Sequence, residues 1–355
     1  MSITTSKKPE IALESQEKES WFKRLTNLQS VWILGVLVVI VAYFAIAGGG
    51  NFFSGNNFSL ISQNISVLAI IGVGMTFIII TSGIDLSVGS VLVFASVISA
   101  KVIEAMGGTS GGAVIVGILS GLVAGGAWGW LNGFLVAKAK VPPFIVTLGT
   151  LSAALGLAQV ITSGLNITLD ESSLTDFGIY TKVVGIPALP FVALIVVILG
   201  GILLHRTKFG RYTYAIGSNA EAAKRVGVKV DRHLIQVYCL AGVLAGLGAV
   251  LYLAQFGTTT IAGQSLTNLN VIAAVVIGGT SVFGGEGSMF GTIVGLFIPA
   301  VLQSGFVIIG VQPFWQGVAV GIVLVAAVYI DQTRRAAALR GARSSRSGKK
   351  SAGKK

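Results

Sequence analysis

Apolar residues run along this chain in unbroken blocks of about 17–25, long enough to cross a hydrocarbon core as helices. They do not alternate with polar ones over about ten residues, as the strands of a membrane barrel would. Lipid offers backbone groups no water, so helices are the form such blocks take. The blocks lie at 31–47, 65–82, 88–106, 113–137, 144–162, 187–204, 234–255, 268–283, 289–309 and 314–330. The pattern predicts an all-α polytopic membrane protein of about ten transmembrane helices. The first block ends in Ala45-Ile46-Ala47, which resembles a signal-peptidase site. About thirty polar residues precede it, whereas secretory signals have shorter basic heads, so an uncleaved first span is expected.

Charge sets the orientation. With both termini cytoplasmic, 25 Lys and Arg leave only Lys101 and Lys182 on the outer side, as the positive-inside rule requires. The outer loop 163–186 carries Asp170, Glu171 and Asp176 against Lys182. Three regions follow: a cytoplasmic tail 1–30, a transmembrane domain 31–330 with a cytoplasmic loop 205–233, and a disordered basic tail 331–355. With 53% apolar and 11% charged residues and a mean hydropathy of +0.85, a soluble domain is excluded. The net charge of +12 sits at the ends of spans. The last tail carries nine basic residues from Arg334 to Lys355 and no aromatic residue to stack a base. It reads as a lipid-facing topology signal, not a nucleic-acid site. Cys239 is the one cysteine, so it forms no internal disulfide and suggests no metal site.

Glycines 117, 121, 125, 129 and 133 recur every four residues in the fourth block, making one stripe where backbones can approach closely. Shorter ladders occur at 242/246, 287/291/295 and 317/321. They serve either tight packing or a smooth surface for a sliding helix. Glycine-broken hairpins stand at 83–90 (GIDLSVGS) and 283–288 (FGGEGS). Both join spans on the inner side, so they do not make a simple inverted repeat.

No Asp, Glu, Lys, Arg or His lies deep in any block; Lys101 and Glu104, near an outer end, are spaced to pair at i,i+3. An ion-driven symporter generally needs ionisable or cation-coordinating groups near the midplane, and a charged solute would need counter-charges. The absence fits an uncharged, hydroxyl-rich solute. No phosphate-binding G-x-x-x-x-G-K-[ST] occurs, so ATP hydrolysis would belong to a partner. Neither catalytic residues, metal ligands nor a cofactor are expected.

The inner loop from His205 to His233 has seven basic and two acidic residues. Ser218 and Glu221 fit a capping box opening a short freestanding helix over Asn219–Val226, with Gly227 free to take the left-handed C′ conformation. Ala220, Ala222 and Ala223 make it slim enough for a groove on another protein. Resting on lipid headgroups is the alternative, for which it lacks a bulky apolar face.

That loop, YAIGSNAEAAKRVGV, joins GIDLSVGS, NGFLVAKAKVPPFIVTLGT (132–150) and IGGTSVFGGEGS (277–288) in resembling the permease family of bacterial ribose-, xylose- and arabinose-type ABC importers. The resemblance covers nearly everything between the tails. It implies a multi-pass inner-membrane transport subunit, not an enzyme, that works as a homodimer. The implied partners are a separate ABC ATPase and a periplasmic or lipid-anchored sugar-binding protein. The loop helix becomes the coupling helix, and Gly217, Ser218, Asn219, Glu221, Ala222, Ala223 and Gly227 the ATPase contact. Glu286 departs from that family's usual basic or neutral residue, so no ATPase contact is assigned to its turn; Ser288 fits as N-cap of the next span.

The cargo implied is a neutral monosaccharide, a ribose-like pentose or hexose, moved by alternating access. A nucleoside or other neutral solute, a passive facilitator, a secondary transporter and a non-transporting scaffold are the alternatives. Asp85 suits either the N-cap or first turn of the third span, satisfying orphan amides, or an inner gate with Ser87, where Gly83 and Gly89 break the helix. Asn64, Gln63, Asn132, Thr147, Asn268, Asn270 and Thr280 are candidates for the lining of a pathway or for interhelical hydrogen bonds.

Overall fold

The computed structural model describes residues 29–333, apart from 109, 170–171, 262–266, 313, 323–324, 327 and 330–331. Nearly all of both tails, Asp170 and Glu171 of the outer loop, and part of the span expected at 314–330 lie outside the described residues.

Helix α1 (Gln29–Ala47) stops at the run Gly48-Gly49-Gly50, where Gly49 takes φ +56°. Helix α2 (Gly55–Ile80) starts ten residues before the expected block. Ser54 caps it by accepting from Asn57 N, and its first turns are polar, which a hydropathy reading passes over. From Ile65 onward nearly every α2 residue is buried, making α2 the centre of the bundle. Helices α3 (Val88–Ala105), α4 (Gly111–Ala137) and α5 (Pro143–Thr162) follow as expected. Lys101 and Glu104 pair at 3.0 Å on the exposed face of α3.

The loop 163–186, expected on the outer side, holds a short helix α6 (Ser173–Ile179), opened by a Ser172/Thr175 capping box. Gly178 lets α6 lie on the Ala254 carbonyl. After it comes a hairpin of β1 (Lys182–Val183) and β2 (Ile186–Pro187) turned by Val184 and Gly185 at positive φ. Helix α7 (Ala188–Arg206) leads into α8 (Lys208–Arg225), and α9 (Val230–Phe256) returns through the bundle.

The last described helices are α10 (Thr267–Ile277) and α11 (Met289–Ile308), with a further helical stretch from 315. The span expected at 268–283 ends early. Gly278 rests on the Gly291 carbonyl and Gly279 takes φ +92°, a turn that a helix cannot continue. At 11 residues α10 is about 16 Å long, roughly half a hydrocarbon core. Among the described residues seven helices are long and apolar enough to cross a membrane, and α10 is a shorter apolar helix.

Helices α9 and α4 approach each other most closely along a seam of glycines. Carbonyls of Tyr238 and Gly242 lie 2.2 Å from where a Cβ on Gly129 and Gly125 would sit, and the Gly121 carbonyl lies 2.4 Å from one on Gly246. The α4 ladder is therefore a backbone-to-backbone seam. Gly291 and Gly295 seat α11 on α10 in the same way, whereas Gly321 has nothing within 4 Å.

Candidate functional site

Two glycine-broken segments, 81–87 between α2 and α3 and 278–288 between α10 and α11, are far apart in sequence but meet at one junction. Gly285 N donates to Ile80 O at 2.9 Å, and Ser82 Oγ donates to Phe283 O at 2.8 Å. Ser82, Gly284 and Gly285 all take positive φ there, which lets both turns fold back tightly. Helix α8 rests on the junction. A Cβ on Gly217 would lie 1.7 Å from Ile80 O and 2.6 Å from Gly285 N. Tyr214 Oη donates to Gly287 O at 2.7 Å, and burial pushes that hydroxyl's pKa up, keeping it a donor.

Helix α8 differs from the expected loop helix. It begins at Lys208, capped by Thr207, and Phe209 and Ile216 pack inward, so this half is not freestanding. At Asn219 the backbone leaves helical geometry (φ −164°, ψ 99°) and a second short helix starts. Its cap is Asn219, whose Oδ1 accepts from Ala222 N at 2.9 Å; Ser218 and Glu221 form no capping box. Asparagine caps as well as serine does, and Ser218 is held against Gly285 by the junction. The end matches expectation: Gly227 has φ +88°, Gly227 N bonds Lys224 O, and Val228 N bonds Ala223 O in a Schellman arrangement. Asn219, Ala220, Glu221 and Ala222 are exposed, Val226 is 81% exposed, and Ala223 is buried.

A second group lies around the α2–α3 break. Asp85 is buried, and its Oδ1 accepts from Ser87 N at 2.7 Å and Ser87 Oγ at 2.6 Å. Asn132 Nδ2 of α4 donates to the same Ser87 Oγ at 2.9 Å, and Thr147 Oγ1 of α5 donates to Ile84 O at 3.1 Å. Asp85 is therefore not the cap of α3. Only Leu86 separates it from Ser87, so its carboxylate closes a local turn. The amide of Gly89 is capped instead by Asn268 Oδ1 of α10. Gly89 lies inside α3, and only Gly83, 2.6 Å by its Cβ position from Tyr238 Oη, sits in the break. Tyr238 Oη and Asn132 Oδ1 are buried without a hydrogen-bond partner.

The other expected lining residues lie elsewhere. Thr280, its Oγ1 buried and unpartnered, packs on Gly287 beside the junction. Asn64 is sixteen residues back along α2 from Ile80, about 24 Å away, where it accepts from Gln255 Nε2 at 3.2 Å. Asn270 lines the same cleft as Asn64, while Gln63 bonds Ser59 on its own helix. Tyr214, Tyr238, Ser82 and Gln255 were not anticipated. Their one sequence signal was a polar group in or beside an apolar block. Among the described residues no cluster of His, Cys, Asp or Glu could hold a metal ion.

A family model described as "Branched-chain amino acid transport system / permease component" matches residues 57–328. The chain is 38% identical over 332 residues to the ribose import permease of Bacillus subtilis, covering 91% of this chain and 98% of that one. It is 36% identical over 305 residues to the fructose import permease of Rhizobium meliloti, covering 84% and 83%. Against the xylose transport system permease of Escherichia coli the identity is 29% over 395 residues, covering 94% and 99%. No solved structure matches.

Proposed function

The chain belongs to the permease-component family that its residues 57–328 match, and from that membership we propose that it carries a neutral monosaccharide inward for an ATP-driven importer. It is a multi-pass transport subunit of the inner membrane, related to ribose, fructose, allose and xylose import permeases. Those relatives' cargoes are uncharged sugars, in keeping with a sequence that places no Asp, Glu, Lys, Arg or His deep in an apolar block.

The observation that carries the reading is the build of α8. Its last turn, Ala220–Arg225, stands exposed, apart from Ala223, on an Asn219 cap and a Gly227 stop, while its base at Gly217 rests on both broken segments at once. A push on that turn by an ATPase would reach both segments through backbone contacts. Gly217, Ser218, Asn219, Glu221, Ala222, Ala223 and Gly227 form the ATPase contact in this proposal. Asp85, Ser87, Asn132, Thr147 and Asn268 form the gate they move, with Thr280 beside it. Access to the two sides then alternates as the gate opens and closes, and a sugar-binding protein supplies the cargo.

The working unit is a homodimer in this proposal. Helix α5 turns Gly149, Ser152, Ala153 and Gln159 outward, and nothing lies within 4 Å of a Cβ on Gly149 or Gly156. Small and polar residues on an outward face suit another helix better than lipid.

Proteoliposomes holding the chain, its ATPase and its binding protein are expected to take up labelled sugar only with ATP. Glu221→Lys is expected to cut both uptake and recovery of the ATPase in a pull-down, with membrane insertion intact; parental recovery and uptake would rule out this contact. Asp85→Asn retains an oxygen for both Ser87 bonds, so it is expected to insert and pack like the parent yet lower uptake several-fold. Parental uptake would exclude a gate that needs the charge.

A further inference from the structure

At the end of the bundle away from α8, a cleft of about 280 Å³ opens between α2, α9, α10, α11 and the helical stretch from 315. Five side-chain amides line it, one from each element: Asn64, Gln255, Asn270, Gln303 and Gln316. Among the described residues no charged side chain lines it. Polar groups gathered in a membrane bundle normally pair with one another, because hydrocarbon gives them nothing else to bond. Here they pair only in part. Gln255 Nε2 donates to Asn64 Oδ1, and Gln316 Nε2 reaches Pro299 O at 3.4 Å. Gln255 Oε1 is buried with no hydrogen-bond partner among the described residues, so nothing there offsets its desolvation.

The wall beside Gln255 is aromatic: the Tyr252 and Phe256 rings lie 4.6 Å apart. Tyr252 spends its hydroxyl on Thr260 Oγ1 at 2.6 Å, leaving its ring for apolar contact. Uncharged groups that both donate and accept, next to an aromatic surface, match a solute with hydroxyls on its edges and C–H groups on its faces. A carboxylate or an amine would find no counter-charge. The volume is near the lower bound of about 300 Å³ for small-molecule pockets, as suits a single sugar ring.

We propose that this cleft is a solute subsite within one subunit, binding a neutral monosaccharide whose hydroxyl donates to Gln255 Oε1, with Asn270 and Gln303 as further partners. The proposal rests on the sugar-import reading above and adds to it where the sugar touches this chain.

The test is saturation-transfer NMR on the full-length chain in lipid nanodiscs, titrated with D-ribose and D-fructose and with D-gluconate as the charged control. Parent protein is expected to show transfer from at least one sugar and none from gluconate. Gln255→Leu and Gln303→Leu are each expected to weaken half-saturation about ten-fold. Gln303 is exposed, so its variant leaves the bundle's packing alone and keeps the test valid should Gln255→Leu fold poorly. Unchanged half-saturation in Gln303→Leu would overturn the subsite, as would a folded Gln255→Leu that binds like the parent or absence of transfer in the parent. ATP-driven uptake of the same sugars by the reconstituted importer separates the two readings. Uptake by the parent without any effect in the variants removes the subsite alone; a parent that imports no sugar removes the function it rests on.

Discussion

Gly217→Ala is expected to abolish sugar uptake while the protein still inserts and its ATPase still binds. The alanine Cβ would sit 1.7 Å from Ile80 O and 2.6 Å from Gly285 N, inside the hydrogen bond that joins the two broken segments. Backbone atoms on both sides cannot swing away as a side chain could. Either α8 lifts off, or the Ile80–Gly285 bond parts and takes with it the Ser82 links to Phe283 and Gly217. Overpacking of this kind costs about 1–3 kcal/mol, occasionally more. The cost falls on the junction, two residues before the exposed turn, so ATP hydrolysis is expected to persist but no longer to drive transport. Gly201→Ala is the control, since its Cβ would find only Met289 atoms at 3.9 Å. Uptake and ATP turnover measured together decide it: coupled transport at the parental rate in Gly217→Ala would show that force does not pass through this contact.

What could be read beforehand divides by range. Signals contained within a few residues were legible: the Gly227 stop, the Ser288 cap, the Lys101–Glu104 pair, and the two glycine-broken segments. Misreadings arose where a distant partner decided a local choice. Ser218 and Glu221 fit a capping box, but Gly285 holds Ser218 and the cap passes to Asn219. Asp85 suited the first turn of α3, yet that turn takes its acceptor from Asn268, on a helix 179 residues further on. Hydropathy also hides polar helix: it missed the opening turns of α2 and the first half of α8, whose buried face is spread over Phe209, Thr213 and Ile216. Above all, nothing in the order of residues shows that 81–87, 278–288 and Gly217 share one point.

The second large effect is expected in the α4–α9 seam, where Gly129→Val should prevent accumulation of folded protein and Gly129→Ala should lower its melting temperature sharply. A Cβ at 129 would meet Tyr238 O at 2.2 Å and Gly242 Cα at 3.0 Å, and the intrusion is mutual, since one at 242 would lie 2.3 Å from Gly125 O. Water's drive to bury apolar surface does not operate between helices in lipid, so close packing of such seams supplies much of their association. Parting α4 from α9 would therefore lose contact along the whole run from Gly121 to Gly133, not at one residue. Gly126→Ala provides the comparison one step off the seam. Its Cβ would meet only Val243 Cγ2, at 2.9 Å, the end of a side chain that can rotate away. Thermal unfolding in detergent, followed by tryptophan fluorescence, should rank Gly129→Ala well below Gly126→Ala. The same ranking distinguishes the two roles the ladder could have. A fixed seam loses stability and transport together, whereas a sliding surface would let Gly129→Ala keep its melting temperature and lose only transport.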